Sequence, residues 1–198
     1  MSADTSWDEF ADRWDDDPAA IAYSEAAFRS LGAALAARQR PLDGIRVLDF
    51  GCGTGLLTQQ LVDRAAAIDA MDTSPAMLGV LRAKVERADW TNVRTLAELP
   101  NAGPYDLIVA SSVCSFLDDY PGAVSHLASL LTAGGTFVQW DWEQDPADED
   151  PHGLSRAAVL AALTHAGLVD VIVDEAFEVR VGDSIMAPII GVGSKPTG

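Results

Sequence analysis

A run that reads as a buried strand, ends on an acid and breaks at once into glycines constrains this chain more than any other stretch: Val47-Leu-Asp-Phe-Gly-Cys-Gly-Thr-Gly55. Glycines at that turn permit positive φ and close backbone approach. A helix starting at Leu56 would aim its unpaired N–H groups at whatever sits there. A strand passing through such a turn into a helix opens a βαβ unit, and the chain beyond repeats the alternation. Strands are expected at 45–50, 65–71, 93–96, 105–110, 135–142, 168–177 and 184–193. Between them lie helices from Leu56, from Ser74-Pro75, over 119–131 and over 155–166, with another over 19–38 ahead of the first strand. Ser74 and Asp17 each stand before a proline, the pattern of a capping side chain with proline at the first helical position, and Gly167 closes the last helix. The expected fold is α/β: a Rossmann-like, doubly wound, mostly parallel seven-stranded sheet with helices on both faces. Residues 1–40 form an amino-terminal helical segment and 41–198 the main domain, in one structural unit overall.

Hydrophobic residues make up 48% of the 198 positions, enough for a core and far from the mixtures that stay disordered. Thirty acids against thirteen bases give a net charge of −17. Nucleic-acid partners are therefore not expected, because their affinity rests on Lys and Arg neutralising phosphates. The longest apolar run, 157–163, is far short of the ~20 residues that cross a bilayer, and no basic segment followed by an apolar one stands at the start. A cytoplasmic protein without a membrane partner, monomer or homodimer, is the expectation. Cys52 and Cys114 show no Cys-x-x-Cys spacing, so neither a disulfide framework nor a metal centre is expected.

The glycine loop departs from the dinucleotide fingerprint Gly-x-Gly-x-x-Gly. Gly51 and Gly53 fit, but Leu56 stands where the third glycine belongs and the extra glycine is Gly55. Asp49 at the mouth would repel a pyrophosphate by several kcal/mol, in order of magnitude, at short range. A cationic ligand without phosphate suits it, and S-adenosylmethionine, with an α-ammonium and a sulfonium, has that charge pattern. About twenty positions on, Asp72 ends the second strand, where an acid takes up two ribose hydroxyls as a pair of hydrogen bonds.

With those residues in view the chain resembles the class I S-adenosylmethionine-dependent methyltransferases, of the small single-domain kind labelled type 11 or type 12. Residues 47–55 resemble the family's first motif and 71–78 its second-strand motif. Tyr105-Asp-Leu-Ile-Val-Ala-Ser-Ser112 resembles the fourth-strand motif, and 130–138 the turn into the fifth strand. The likeness extends from about Trp14 onward. It implies that Gly51, Cys52, Gly53 and Gly55 approach the methionine part of the cofactor and that Asp49 orients its ammonium directly or through water. It further implies that Asp72 holds the ribose, that Thr73 and Met77 flank the adenine, and that Ser111 belongs to the same set. In the family the third strand usually ends in an adenine-reading Asp; here Thr95 or Leu96 stands there. The contact then falls to backbone groups of Leu96 and Ala97, with Glu98 as an outside candidate. Ala133 replaces the proline common before the paired glycines.

Methyl transfer from a sulfonium is an in-line displacement, so alignment alone can supply up to ~7–11 kcal/mol. A base is needed only where the acceptor must lose a proton, and Asp141, Glu143 and His152 are the candidates by position. The acidic stretch 141–150 reads as a solvated loop or as a lid over a bound cation. Trp140 and Trp142 alternate with Asp141, one toward the core and one available as an aromatic wall. Trp14 or Tyr23 is expected near the site. His126 and His165 read as structural, Cys52 as a small loop residue and Cys114 as packing. Two other functions are open at this point: a cofactor-binding regulatory domain without catalysis, and a nicotinamide-dependent oxidoreductase. The acceptor, a small molecule in the leading reading, has no sequence code.

Overall fold

The structure, a computed structural model, describes residues 7–101, 103–144 and 153–198. Five strands run parallel through its centre: β1 (Arg46–Phe50), β2 (Ala67–Met71), β3 (Val93–Leu96), β4 (Tyr105–Ser111) and β5 (Leu131–Asp141). β6 (Val169–Glu175) ends the chain's passage along one side, and β9 (Ile189–Ser194) inserts antiparallel between β5 and β6. The order across the sheet is β3-β2-β1-β4-β5-β9-β6. The single strand expected over 184–193 divides in two. Ser184–Met186 (β8) folds back on Val179–Val181 (β7) as a separate two-stranded hairpin around Gly182, whose φ is +58°. Pro188, which has no N–H to give a ladder, separates that hairpin from β9.

Strands 1, 4 and 5 are buried on both faces, which is why they read as continuous apolar runs and not as alternating ones. One face is covered by α2 (Pro18–Ala37), α3 (Leu56–Leu61) and α4 (Pro75–Ala88). There Leu31, Leu61 and Leu81 meet Val47, Leu107 and Trp140. The other is covered by α5 (Tyr120–Leu130) and α6 (Arg156–His165), with Val124, Leu127 and Leu163 on Leu48, Ile108 and Phe137. The capping expectations hold: the Asp17 and Ser74 side chains accept from Ala19 N and Met77 N, and Gly167 takes a φ of +78°.

Near the amino ends of β1, β3 and β4, the Asp69 carboxylate gathers Arg94, Arg46 and the Tyr105 hydroxyl. Three of the chain's strong donors are thereby committed at the end of the sheet away from the glycine loop. A turn at Trp7–Phe10 and the short helix α1 (Ala11–Trp14) precede α2. Among the described residues no helix is long and apolar enough to cross a membrane.

Candidate functional site

Open parallel sheets leave a crevice outside the carboxyl ends of their strands, where the strand order reverses, and here that point lies between β1 and β4. The turn after β1 is fixed by its own backbone: the N–H groups of Gly51 and Cys52 both donate to the carbonyl of Met71, at 2.8 and 2.9 Å. The three glycines of the turn serve different ends. A Cβ on Gly51 would lie 2.5 Å from Val113, and one on Gly55 2.5 Å from Leu81, so those positions are bare for packing. At Gly53, with φ +54°, an added Cβ would meet nothing nearer than Met77 Sδ at 4.0 Å. Its bare face therefore opens on the crevice.

Asp72 joins the two halves of the crevice wall. One carboxylate oxygen accepts from Gly53 N at 2.7 Å and the other from Ser74 N at 2.8 Å, while its own N–H donates to Leu96 O at 3.1 Å. Each oxygen keeps a lone pair, and the group is half-buried. Met77 is buried beneath the turn, whereas Thr73, Ala97 and Glu98 are exposed and Leu96 half-buried at the rim. Asp49 is buried under the glycines and accepts from the Thr58 hydroxyl at 2.6 Å. Burial pushes its carboxyl up to about 6; the Thr58 hydrogen bond opposes the rise and the negative charge of Asp72 adds to it.

The amino-terminal segment is fastened over this crevice by carboxylates. Asp15 accepts from the Thr54 hydroxyl at 2.7 Å and pairs with the buried Lys84 ammonium at 2.6 Å, tying the end of α1 to the glycine turn and to α4. Asp8 accepts from the Ser74 hydroxyl at the start of α4. Trp7 packs edge-on against Trp14 and against Phe116 from the loop after β4. Asp8, Asp15 and Lys84 are not among the residues expected at the site from sequence. A signal was present: Lys84 extends the apolar stripe of Met77 and Leu81 on α4, and a basic residue there needs a buried partner.

At the carboxyl ends of β4 and β5, Ser111 and Ser112 are half-buried, and Ser112 takes a φ of +54° as the chain leaves the sheet. Asp141 is fully buried and accepts from Ser115 N at 2.9 Å and Trp142 N at 3.0 Å, so both oxygens hold backbone. Burial raises its carboxyl and those N–H groups pull it back down. Glu143 points to the surface and is held by Arg156 at 2.7 and 2.9 Å, which keeps its carboxyl below the ordinary range. His152 and residues 145–150 of the acidic stretch lie outside the described residues. Tyr23 is buried against Trp142 and Phe177, with ring centroids 5.6 and 5.2 Å away. Trp14 joins the lid through Trp7. Cys52 and Cys114 are both buried, and burial pushes both thiols up, away from thiolate chemistry.

Comparison with known proteins agrees with this geometry. Residues 48–137 match the family described as methyltransferase domain. An uncharacterised methyltransferase of Mycobacterium tuberculosis is 36% identical over 101 residues, 50% of this chain and 51% of that protein. Trans-aconitate 2-methyltransferase of Methylobacterium radiotolerans is 34% identical over 134 residues, 66% of this chain and 50% of that protein. The chain thus spans about half the length of the curated relatives it matches. Among solved structures, magnesium protoporphyrin IX methyltransferase of Synechocystis with bound S-adenosylhomocysteine superposes with a TM-score of 0.72 at 20% identity, over 95% of this chain and 96% of that one.

Proposed function

We propose that this chain is a class I S-adenosylmethionine-dependent methyltransferase that transfers a methyl group to a small-molecule acceptor held over the ends of β4 and β5. The observation that carries the reading is the pairing of Gly53 and Asp72: a cradle that a Cβ would fill, beside a carboxylate aligned by two backbone N–H groups with lone pairs to spare. The fit to the nucleoside is one of chemistry, since Asp72 can accept from two vicinal hydroxyls and Asp49 can face an ammonium. When bound, the cofactor supplies a sulfonium methyl: an acceptor lone pair bonds to the methyl carbon as the carbon–sulfur pair returns to sulfur.

The chain's own residues bind, align and exclude water. Gly51, Cys52, Gly53 and Gly55 bring backbone close to the methionine part, Met77 and Thr73 border the adenine, and Leu96 and Ala97 offer backbone groups where the family's adenine-reading acid is missing. Ser111 stands between cofactor and acceptor. Residues 7–15 close the crevice through Asp15, Lys84 and Thr54. Asp141 acts as a positioning residue, since its oxygens hold the turn at 114–116; His152 retains a place as base only by its position in the sequence.

Two titrations test the reading. Calorimetry with S-adenosylhomocysteine is expected to give a dissociation constant on the order of micromolar, about −8 kcal/mol, with no heat from NAD. Release of labelled methyl to an acceptor then separates an enzyme from a binding module. No heat with S-adenosylhomocysteine would end the proposal. The pH dependence has a definite sign. Asp49 carries a folded value of about 6 against an ordinary 3.8, so protonation of this group favours the fold at low pH and that contribution is lost as pH rises through 6. A cation binds the ionised form better, so affinity is expected to increase roughly tenfold between pH 5 and pH 7, with proton uptake or release vanishing above 7. Asp49→Asn should flatten that profile; an unchanged profile would remove Asp49 from the cofactor's ammonium.

A further inference from the structure

Tyr23 lies on α2 at 8% exposure, and its Oη has no hydrogen-bond partner among the described residues, an expensive state for a buried hydroxyl. A phenylalanine would fill the same space between Trp142 and Phe177. Packing of the ring on Trp142 sets the residue beside the carboxyl end of β5, where the Ser112 and Ser111 hydroxyls favour ionisation of the phenol by hydrogen bonding and the Asp141 charge opposes it. Burial, the largest influence, lifts the phenol well above its ordinary range, so the group is a donor and not a base. Trp142 beside it is 36% exposed and presents a flat apolar face.

The charge around this donor restricts what it meets. Two hydroxyls, one carboxylate and two rings face it, with no cation among them. Every Lys and Arg of the chain lies among the described residues. Lys84 is committed to Asp15 and Arg156 to Glu143 and Asp174, and Arg13, in the segment over the crevice, lies over the Phe10 ring. Others are spent at the far end of the sheet, as with Arg46 and Arg94 on Asp69. A polycarboxylate acceptor needs arginine or lysine partners to offset the loss of its hydration.

We propose that Tyr23 orients the acceptor: Oη donates to a lone pair of a ring-bearing molecule, neutral or cationic, whose flat face lies on Trp142, and multiply anionic acceptors are rejected. This rests on the methyltransferase reading and specifies its acceptor class. It sets the chain apart from the trans-aconitate methyltransferase it resembles.

The test compares the full chain with Tyr23→Phe. S-Adenosylhomocysteine affinity is measured first, then the complex is titrated with tyramine, catechol and trans-aconitate by calorimetry and ligand-observed NMR. The variant is expected to bind S-adenosylhomocysteine within twofold of the parent and to keep or raise its Tm, because a buried hydroxyl without a partner is removed. Tyramine and catechol should bind the parent complex and lose about tenfold or more in the variant, while trans-aconitate stays silent. A Tm lower by more than about 4 °C would reveal an internal partner worth roughly 1 kcal/mol and overturn the proposal. So would ring probes that are silent or indifferent to the variant, or trans-aconitate binding more tightly than both. Failure of the parent itself to bind S-adenosylhomocysteine would be the separate failure of the methyltransferase reading.

Discussion

Gly53→Val is expected to remove S-adenosylhomocysteine binding, by at least a hundredfold, while the chain still folds. The expectation follows from what the three glycines face. At Gly51 and Gly55 an added carbon collides with Val113 or Leu81, so substitution there strikes the packing under the turn. At Gly53 it meets no atom closer than 4.0 Å, so two methyl groups would project into the crevice. A φ of +54° costs a side chain about 1–2 kcal/mol by itself. Gly53→Ala carries most of that backbone strain and little of the bulk, and it separates the two effects. Similar melting points for the two variants, with binding lost mainly in valine, would fit obstruction of the crevice. A valine variant that binds normally would place the cofactor elsewhere.

Asp72→Ala should weaken the same binding by at least tenfold. The carboxylate is the only side chain joining the glycine turn to the start of α4, through Gly53 N and Ser74 N, among the described residues. Its loss strands two donors and removes the acceptor pair proposed for the ribose, and net hydrogen bonds to charged groups are worth about 1.5–3 kcal/mol each. Asp72→Asn keeps the shape but turns one acceptor into a donor opposed to an N–H, so it should recover little. Calorimetry with S-adenosylhomocysteine and with free adenosine reads the effect. Equal losses for both ligands locate the contact on the nucleoside, and an unchanged constant for both would remove Asp72 from the ribose.

Much of this was legible before any coordinates. The glycine turn, the acid twenty positions later, and the capped starts at Asp17 and Ser74 are local patterns with local causes, and each stands where the sequence reading put it. The hairpin at 179–186 was missed because its strands are three residues long and continue into β9 without a break in hydrophobicity; only Gly182 and Pro188 mark the joints. The ties of the amino-terminal segment to the rest of the chain were not legible. Asp15 pairs with Lys84, sixty-nine positions away in the chain, and nothing short-range links them. Asp141 illustrates another limit: its carboxylate holds Ser115 N, twenty-six positions away, as well as Trp142 N, and no local pattern links the first pair.

The placement of β9 bears on how the molecule assembles. Strands two to five can dock in turn as they leave the ribosome, because each finds a neighbour already made. β6 finds none, since its sole partner in the sheet is the segment synthesised after it. Until that segment arrives, β6 must wait with Val171 and Val173 uncovered, a stretch of nascent chain suited to chaperone capture.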